Sequence, residues 1–283
     1  MRDLSGGTAL LTGASGGIGP FIARRLAAEG VKLILVGRRP EPLQKVAEEA
    51  GGARVTVADL ARRREAARVA EEAGAVDIVV ANAGLQAAGR LLGMSLGEID
   101  AALEVNLRSA IVLTRLLLPG MVGRRRGHVV LIGSLAGKIP GPGASLYNAT
   151  KFALRGFGLA VRQELRGSGV GVSVINPTFV REAGMWARGG RRANPIAREV
   201  APTDVADAVV RGIREDRSEI DVAPLQARLG VRLAAAFPEL AMGAGARAGA
   251  GDIDQEGAGR RSQGAAPVRR PVPPAPDPRR RRR

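Results

Sequence analysis

Leu11-Thr-Gly-Ala-Ser-Gly-Gly-Ile-Gly19 is the stretch whose reading decides the fold. An apolar run at residues 9–11 leads into it, and residues 18–29 behind it carry the spacing of an amphipathic helix. Glycines between a strand and a helix let the backbone turn tightly and come close to a pyrophosphate. The phosphate charge then meets free N–H groups at the helix N-terminus. A glycine trio alone is a weak sign, because turns are rich in glycine anyway. The strand–turn–helix setting makes Thr12, Gly13, Ser15, Gly17, Ile18 and Gly19 candidates for holding a dinucleotide.

Outward from this turn the chain alternates short apolar runs with helical patterns. Residues 32–36, 54–58, 77–81, 127–133, 170–175 and 219–222 read as further strands. Helical spacing covers 41–50, 61–73, a long stretch from Ser95 to near Met121, 147–165, and a capped start at Pro202 with Thr203 or Asp204 near the cap. Strands joined through helices of this length need crossover connections. The expected fold is therefore α/β: a doubly wound, Rossmann-like parallel sheet with helices on both faces and ligands beyond the carboxyl ends of the strands. Residues 1–238 are expected to form this one domain. Residues 239–283 are rich in Gly, Ala, Arg and Pro, with few large apolar residues, and read as a disordered tail.

Composition closes off several chemistries. With no cysteine there is no disulfide, thiolate metal site or cysteine nucleophile. One histidine, His128, leaves no multi-histidine metal site and makes a Ser/His/Asp hydrolase a poor fit; it is expected at a strand edge, without a catalytic task. No run of about 18 apolar residues reads as a membrane span, and no apolar leader follows Met1, so a cytoplasmic protein is the default expectation. The net charge of +16 raises the question of nucleic acid. About +6 of it lies beyond residue 240, where ten arginines face four acids. The body has no recognisable nucleic-acid motif, and such a partner is not expected.

The turn spacing, Thr-Gly-x-x-x-Gly-x-Gly from Thr12 to Gly19, departs from the general G-x-G-x-x-G fingerprint. At this point the sequence resembles the short-chain dehydrogenase/reductase family. At the end of strand two, Val36-Gly-Arg-Arg39 offers two guanidiniums where an acid would bind the ribose of NAD. Arg38 and Arg39 suit bidentate recognition of a 2′-phosphate, so NADP is expected over NAD, although solvent-facing turn residues would read the same way. Asp59, followed by Leu60, ends strand three. The resemblance implies that it borders the adenine, while the residue alone reads equally as a helix cap. Asn82-Ala83-Gly84 ends strand four and matches the family's Asn-Ala-Gly, with Asn82 expected to tie adjacent strands together.

The chemistry is expected at Ser134, Tyr147 and Lys151. Tyr147, the only tyrosine, and Lys151 are four apart and share one helix face. An ordinary phenol, with a pKa of about 10, is a poor base at neutral pH, and a nearby ammonium favours the phenolate. Ser134 lies just past strand five, where its hydroxyl can donate to the substrate oxygen while Tyr147 transfers the proton. A surface tyrosine beside a surface lysine is the bland alternative. The resemblance adds Asn106, in Glu104-Val-Asn-Leu-Arg-Ser109, as holder of a water that links Lys151 to solvent.

It also implies that Lys151 contacts the nicotinamide ribose. Pro177 and Val180 match the family segment after strand six, which usually reads Pro-Gly-x-Val-x-Thr. Here Thr178 replaces the glycine and Glu182 stands in place of the threonine, a departure that puts carboxamide binding through that side chain in doubt. Residues 182–198, with Met185, Trp186 and a basic Arg188-Gly-Gly-Arg-Arg192, are expected to form the lid over a small carbonyl or alcohol substrate. A homodimer or homotetramer through the helices before strands five and six is the assembly that the resemblance implies.

Overall fold

The computed structural model describes residues 3–181 and 199–239. Seven strands form one wholly parallel sheet: β1 (Thr8–Thr12), β2 (Lys32–Gly37), β3 (Arg54–Val57), β4 (Ile78–Ala81), β5 (Gly127–Ile132), β6 (Val170–Pro177) and β7 (Glu219–Val222). Their order is β3-β2-β1-β4-β5-β6-β7. From β1 the chain builds outward to β2 and β3, then returns to add β4 on the other side. The order therefore reverses between β1 and β4, and a crevice opens beyond the ends of these two strands.

The described residues also form eight α-helices, most of them packed on the sheet: α1 (Gly19–Ala27), α2 (Pro40–Glu49), α3 (Glu65–Ala73), α4 (Leu96–Leu103), α5 (Ser109–Gly123), α6 (Ser145–Glu164), α7 (Pro202–Arg214) and α8 (Leu225–Ala236). Neighbouring strand residues point to opposite faces, so Leu11 and Leu35 join one core with Ile22 and Val209. Leu10 and Val36 join the other, with Leu113 and Leu154. With both faces buried, the inner strands β1, β2 and β4 are largely apolar runs, as a covered parallel sheet requires, while the edge strands β3 and β7 carry polar residues.

The differences from the sequence reading are local. The helix expected over 61–73 starts at Glu65, because residues 60–64 form turns in which Arg62 N–H donates to the Asp59 carbonyl. The long helix expected from Ser95 divides into α4 and α5 around one π turn, Glu104–Arg108. At α7 the N-cap is Ala201, and Asp204 reaches back to accept its N–H at 2.8 Å. Leu96–Gly123 is long and apolar enough to cross a membrane by length and composition, but here Leu113, Leu117 and Met121 are core residues.

His128 is not at an edge. It lies in β5 between β4 and β6, fully buried, with Nε2 2.8 Å from Ser173 Oγ. Burial pushes its pKa down to about 3, so the ring stays neutral. The expected lid, with Met185, Trp186, Arg188–192 and Glu182, lies outside the described residues, as does the tail from residue 240.

Candidate active site

The glycine turn sits at the reversal point. Gly13 has φ +64°, and a Cβ there would lie 2.8 Å from Ala83 Cα. At Gly19, a Cβ would meet the Gly13 carbonyl oxygen at 2.3 Å. Both positions thus exclude a side chain. The turn winds directly into α1, and the N–H groups of Ser15, Gly17 and Ile18 make no backbone hydrogen bond among the described residues. Three free amides at a helix N-terminus form a cradle that fits the pyrophosphate of a dinucleotide.

Around the cradle stand the other cofactor candidates. Gly37, at the end of β2, lies against Ser15 of the turn: a Cβ there would be 2.9 Å from Ser15 Oγ. Arg38 and Arg39 follow directly, both exposed and without an ion-pair partner among the described residues. Two unneutralised guanidiniums beside the cradle are able to pair with a further phosphate. Asp59 Oδ1 accepts the Ala61 N–H at 3.2 Å and Leu60 is buried next to it, so the side chain closes a turn ahead of α3 instead of capping a helix at 61.

Two sets of hydrogen bonds, linked by the backbone of residues 83–85, join the cradle to the helix that carries Tyr147. Thr12 Oγ1 accepts the N–H groups of Asn82 and Ala83, each at 3.0 Å, and Asn82 Nδ2 donates to the carbonyls of Thr12 and Gly13. Asn82 thus ties β4 to β1, as its sequence position led us to expect. Past Gly84, buried Asn106 clamps the backbone of Leu85: Oδ1 accepts the Leu85 N–H at 2.6 Å and Nδ2 donates to its carbonyl at 3.0 Å. Asn106 can face this loop because it lies in the π turn, which rotates the helix locally; such bulges are common at functional sites. Its Nδ2 also donates to Thr150 Oγ1 at 3.3 Å, and Thr150 Oγ1 donates to the Tyr147 carbonyl at 2.8 Å.

Ser134, Tyr147 and Lys151 come together at the end of β5. Ser134 follows the strand in extended conformation and accepts the Ala136 N–H at 3.1 Å, and its hydroxyl lies near enough to the Tyr147 phenol to favour the phenolate. Tyr147 and Lys151 lie one turn apart on α6, with Lys151 Nζ 5.7 Å from the ring centroid. The expected lowering of the phenol's pKa is not what this arrangement gives. Burial raises it, and the Ser134 hydroxyl opposes only part of that rise. Lys151 is itself pushed down to about 8 by burial, and its Nζ donates to the Ile132 carbonyl at 2.8 Å.

Pro177 ends β6, and its carbonyl is a long 3.5 Å from Ser134 Oγ. Val180 is buried and bridges to Val200 through the N–H and carbonyl groups of its neighbours. Its own backbone groups make no backbone bond among the described residues. Among these residues no group of acids and histidine could hold a metal.

Three supporting residues were missed in the sequence. Asn148, buried beside Tyr147, donates to the carbonyls of Ala136 and Ile139 at 2.6 and 2.9 Å and accepts the Gly141 N–H, so α6 grips the loop that carries Ser134. A second support lies behind Ser134. Asn176 donates to Glu219 and Asp221, and Lys138 bridges the same two carboxylates at 3.1 and 2.6 Å. The third is Thr150, described above. Asn148 had a usable signal, an amide in the first turn of a helix next to the candidate acid; the other two had none in sequence.

A switch-point cradle beside a part-buried Ser–Tyr–Lys group defines a dinucleotide-dependent oxidoreductase acting on alcohol or carbonyl groups. The family model for short chain dehydrogenases matches residues 7–194, and the chain belongs to that family. A ketoacyl reductase of Nostoc sp. is 37% identical over 230 residues, which cover 78% of this chain and 80% of the relative. The NADP-dependent 3-hydroxy acid dehydrogenase of Escherichia coli (strain K12) is 38% identical over 178 residues, 60% of this chain and 71% of that protein. Among solved structures, a metagenomic short-chain oxidoreductase in complex with NADP aligns with TM-score 0.67 at 35% identity, covering 78% of this chain and 99% of its own. A 3-oxoacyl (acyl-carrier-protein) reductase of Agrobacterium tumefaciens with NADP bound aligns with TM-score 0.70 at 29% identity, covering 78% and 94%.

Proposed function

We propose that this protein is an NADP-dependent reductase of a carbonyl in a 3-oxoacyl or related 3-oxo acid substrate, equally able to run the corresponding alcohol oxidation. The observation that supports the reading is the pair of hydrogen-bonded sets, Thr12 with Asn82 and Ala83, then Leu85 with Asn106 and Thr150, which run along one backbone segment from the cradle to the backbone of Tyr147. Similarity to a ketoacyl reductase and a 3-hydroxy acid dehydrogenase supports the substrate class. When bound, the nicotinamide supplies or accepts the hydride.

The residues of the chain do the rest. The free amides of Ser15, Gly17 and Ile18 hold the pyrophosphate, and Arg38 with Arg39 pairs the 2′-phosphate. Asp59 and Leu60 border the adenine, Asn82, Ala83 and Gly84 let the cofactor lie close to β4, and Pro177 with the Val180 backbone flanks the nicotinamide. Ser134 donates to the substrate oxygen, polarising it. Tyr147 gives that oxygen its proton, and the phenolate left behind is held by Lys151, which also contacts the nicotinamide ribose. Asn106 keeps the Leu85 loop and α6 in register and holds a water that passes a proton from solvent to Lys151. A cytoplasmic dimer or tetramer through α5 and α6 belongs to the same proposal, supported by the exposed Leu116 and Phe152 on those helices.

The test is NADPH consumption, followed at the nicotinamide absorbance, across 3-oxoacyl thioesters, free 3-oxo acids, sugar-derived ketones and steroid-like ketones. Turnover confined to the 3-oxo compounds supports the reading. Turnover confined to sugar or steroid ketones refutes the substrate class, and no turnover with any carbonyl refutes the function.

A further inference from the structure

α8 is attached to the body along one side only. Val231 is its one buried residue, at 5% exposure. Leu225, Leu229 and Leu233 recur every four residues, and Phe237 continues the row past the helix end; they are 66, 49, 63 and 57% exposed. Val231 stands two residues from both Leu229 and Leu233, so the stripe points away from the body. A helix apolar on both sides has a second apolar environment to meet.

The charges carried by α8 itself are of one sign. α8 contains no acid. Arg228 and Arg232 on it, with Arg211 of α7, line a cleft of about 700 Å³ beside Val231 that also holds Glu215, Glu219 and Asp221, yet these three arginines have no ion-pair partner among the described residues. Arg228 Nε is buried without a hydrogen-bond partner. Three residues after Phe237 the chain enters its last 44 residues, 240–283, which hold ten arginines against four acids and end in five arginines.

We propose that this face docks on the surface of an anionic phospholipid bilayer, with the Leu225–Leu229–Leu233–Phe237 row in the headgroup–acyl boundary and the arginines at the level of the phosphates. An apolar helix face and a polybasic segment are each weak membrane anchors, and together they make a stable one. Here the two are neighbours in the chain. A second copy on the same face would bring arginines and basic tails against each other, with no acid on α8 to offset them. Nucleic acid would account for the arginines but leave the four apolar side chains in water.

The test is co-sedimentation of the full-length protein with vesicles of pure phosphatidylcholine and of phosphatidylcholine mixed with phosphatidylglycerol. Binding to the anionic vesicles is expected, with at least a tenfold weaker interaction with the neutral ones, and a steep loss as salt rises from about 0.05 M to about 0.5 M. Leu229→Gln with Leu233→Gln should weaken anionic binding about tenfold. Circular dichroism and NADPH binding should stay unchanged, because both positions are exposed. Replacing the five terminal arginines by serine should weaken it independently.

Failure of the wild-type protein to bind anionic vesicles overturns the proposal, whatever the variants do. So does binding that the double Gln variant keeps in full, which would be tail electrostatics alone. A fall in oligomer size in the double Gln variant with vesicle binding retained assigns the stripe to a second copy, and salt-sensitive DNA binding with no vesicle binding assigns the tail to nucleic acid; either result overturns it.

Discussion

Lys151 Nζ stands 5.7 Å from the centroid of the Tyr147 ring, yet its hydrogen bond goes to the Ile132 carbonyl, 2.8 Å away. Burial pushes both groups toward their neutral forms, the phenol above its usual 10 and the ammonium down to about 8. Without cofactor, therefore, burial works against the charged pair, disfavouring the phenolate and the ammonium together.

This makes a direct prediction, because the chain has a single tyrosine. Ultraviolet difference titration of the phenolate reads Tyr147 alone. The midpoint should lie above that of an ordinary phenol in the free protein and fall on saturation with NADP⁺, whose positive nicotinamide favours the phenolate. An identical midpoint in both states would show that the cofactor does not activate this tyrosine.

Tyr147→Phe keeps the ring and deletes the hydroxyl. Turnover should fall by about 10² to 10⁴, the range for a positioned general acid/base, with little change in NADPH affinity by fluorescence titration. Lys151→Met should lower turnover and also weaken NADPH binding. Near-normal turnover in Tyr147→Phe would assign proton transfer to another group.

The parallel sheet, its strand sequence and the glycine turn were legible because they depend on short-range patterns: apolar runs bounded by turns, and glycine where a Cβ would strike backbone, as at Gly13 and Gly19. Ser134, Tyr147 and Lys151 were legible through spacing on and before one helix. What sequence could not give were contacts between distant segments. Thr150 is an ordinary helix threonine until Asn106, 44 residues away, donates to it. His128 looked peripheral because it begins an apolar run, while the strand order buries it between β4 and β6. The phenol's raised pKa also escaped, since a four-residue spacing says nothing of the desolvation around both groups.

Cofactor choice should follow the end of β2. Arg38 and Arg39 are exposed and unpaired among the described residues, so a 2′-phosphate meets no competing carboxylate there. One charge-assisted contact is worth about 1.5 to 3 kcal/mol, giving at least a tenfold preference for NADPH over NADH in kcat/KM. Arg38→Asp removes a cation and adds repulsion, and should reverse the preference. Equal efficiency with both cofactors in the unmodified protein would rule out phosphate recognition by this pair.

His128 sets an acid limit on the fold. It is fully buried, bonded through Nε2 to Ser173, and leaves Nδ1 without a partner. Burial holds its folded pKa at about 3; Asp216 pulls it upward, while the Arg162 guanidinium opposes protonation. In the unfolded chain the same ring titrates near 6.5. Between these values the unfolded state binds a proton that the folded state refuses, so stability falls as pH drops from about 6.5 toward 3. The slope from this group is at most about 1.4 kcal/mol per pH unit, and its contribution is constant above 6.5. Arg162 also pairs with Asp216, whose carboxyl is held below its usual range and so adds acid sensitivity only at the low end of that window. His128→Gln retains an amide that can bond Ser173 but does not titrate. It should lower the melting temperature at pH 7 through imperfect packing against Gly171, where the wild-type ring leaves no room for a Cβ. It should also flatten the decline between pH 6.5 and pH 4. Parallel melting curves for the two proteins across that range would mean that the acid sensitivity comes from the carboxylates and not from His128.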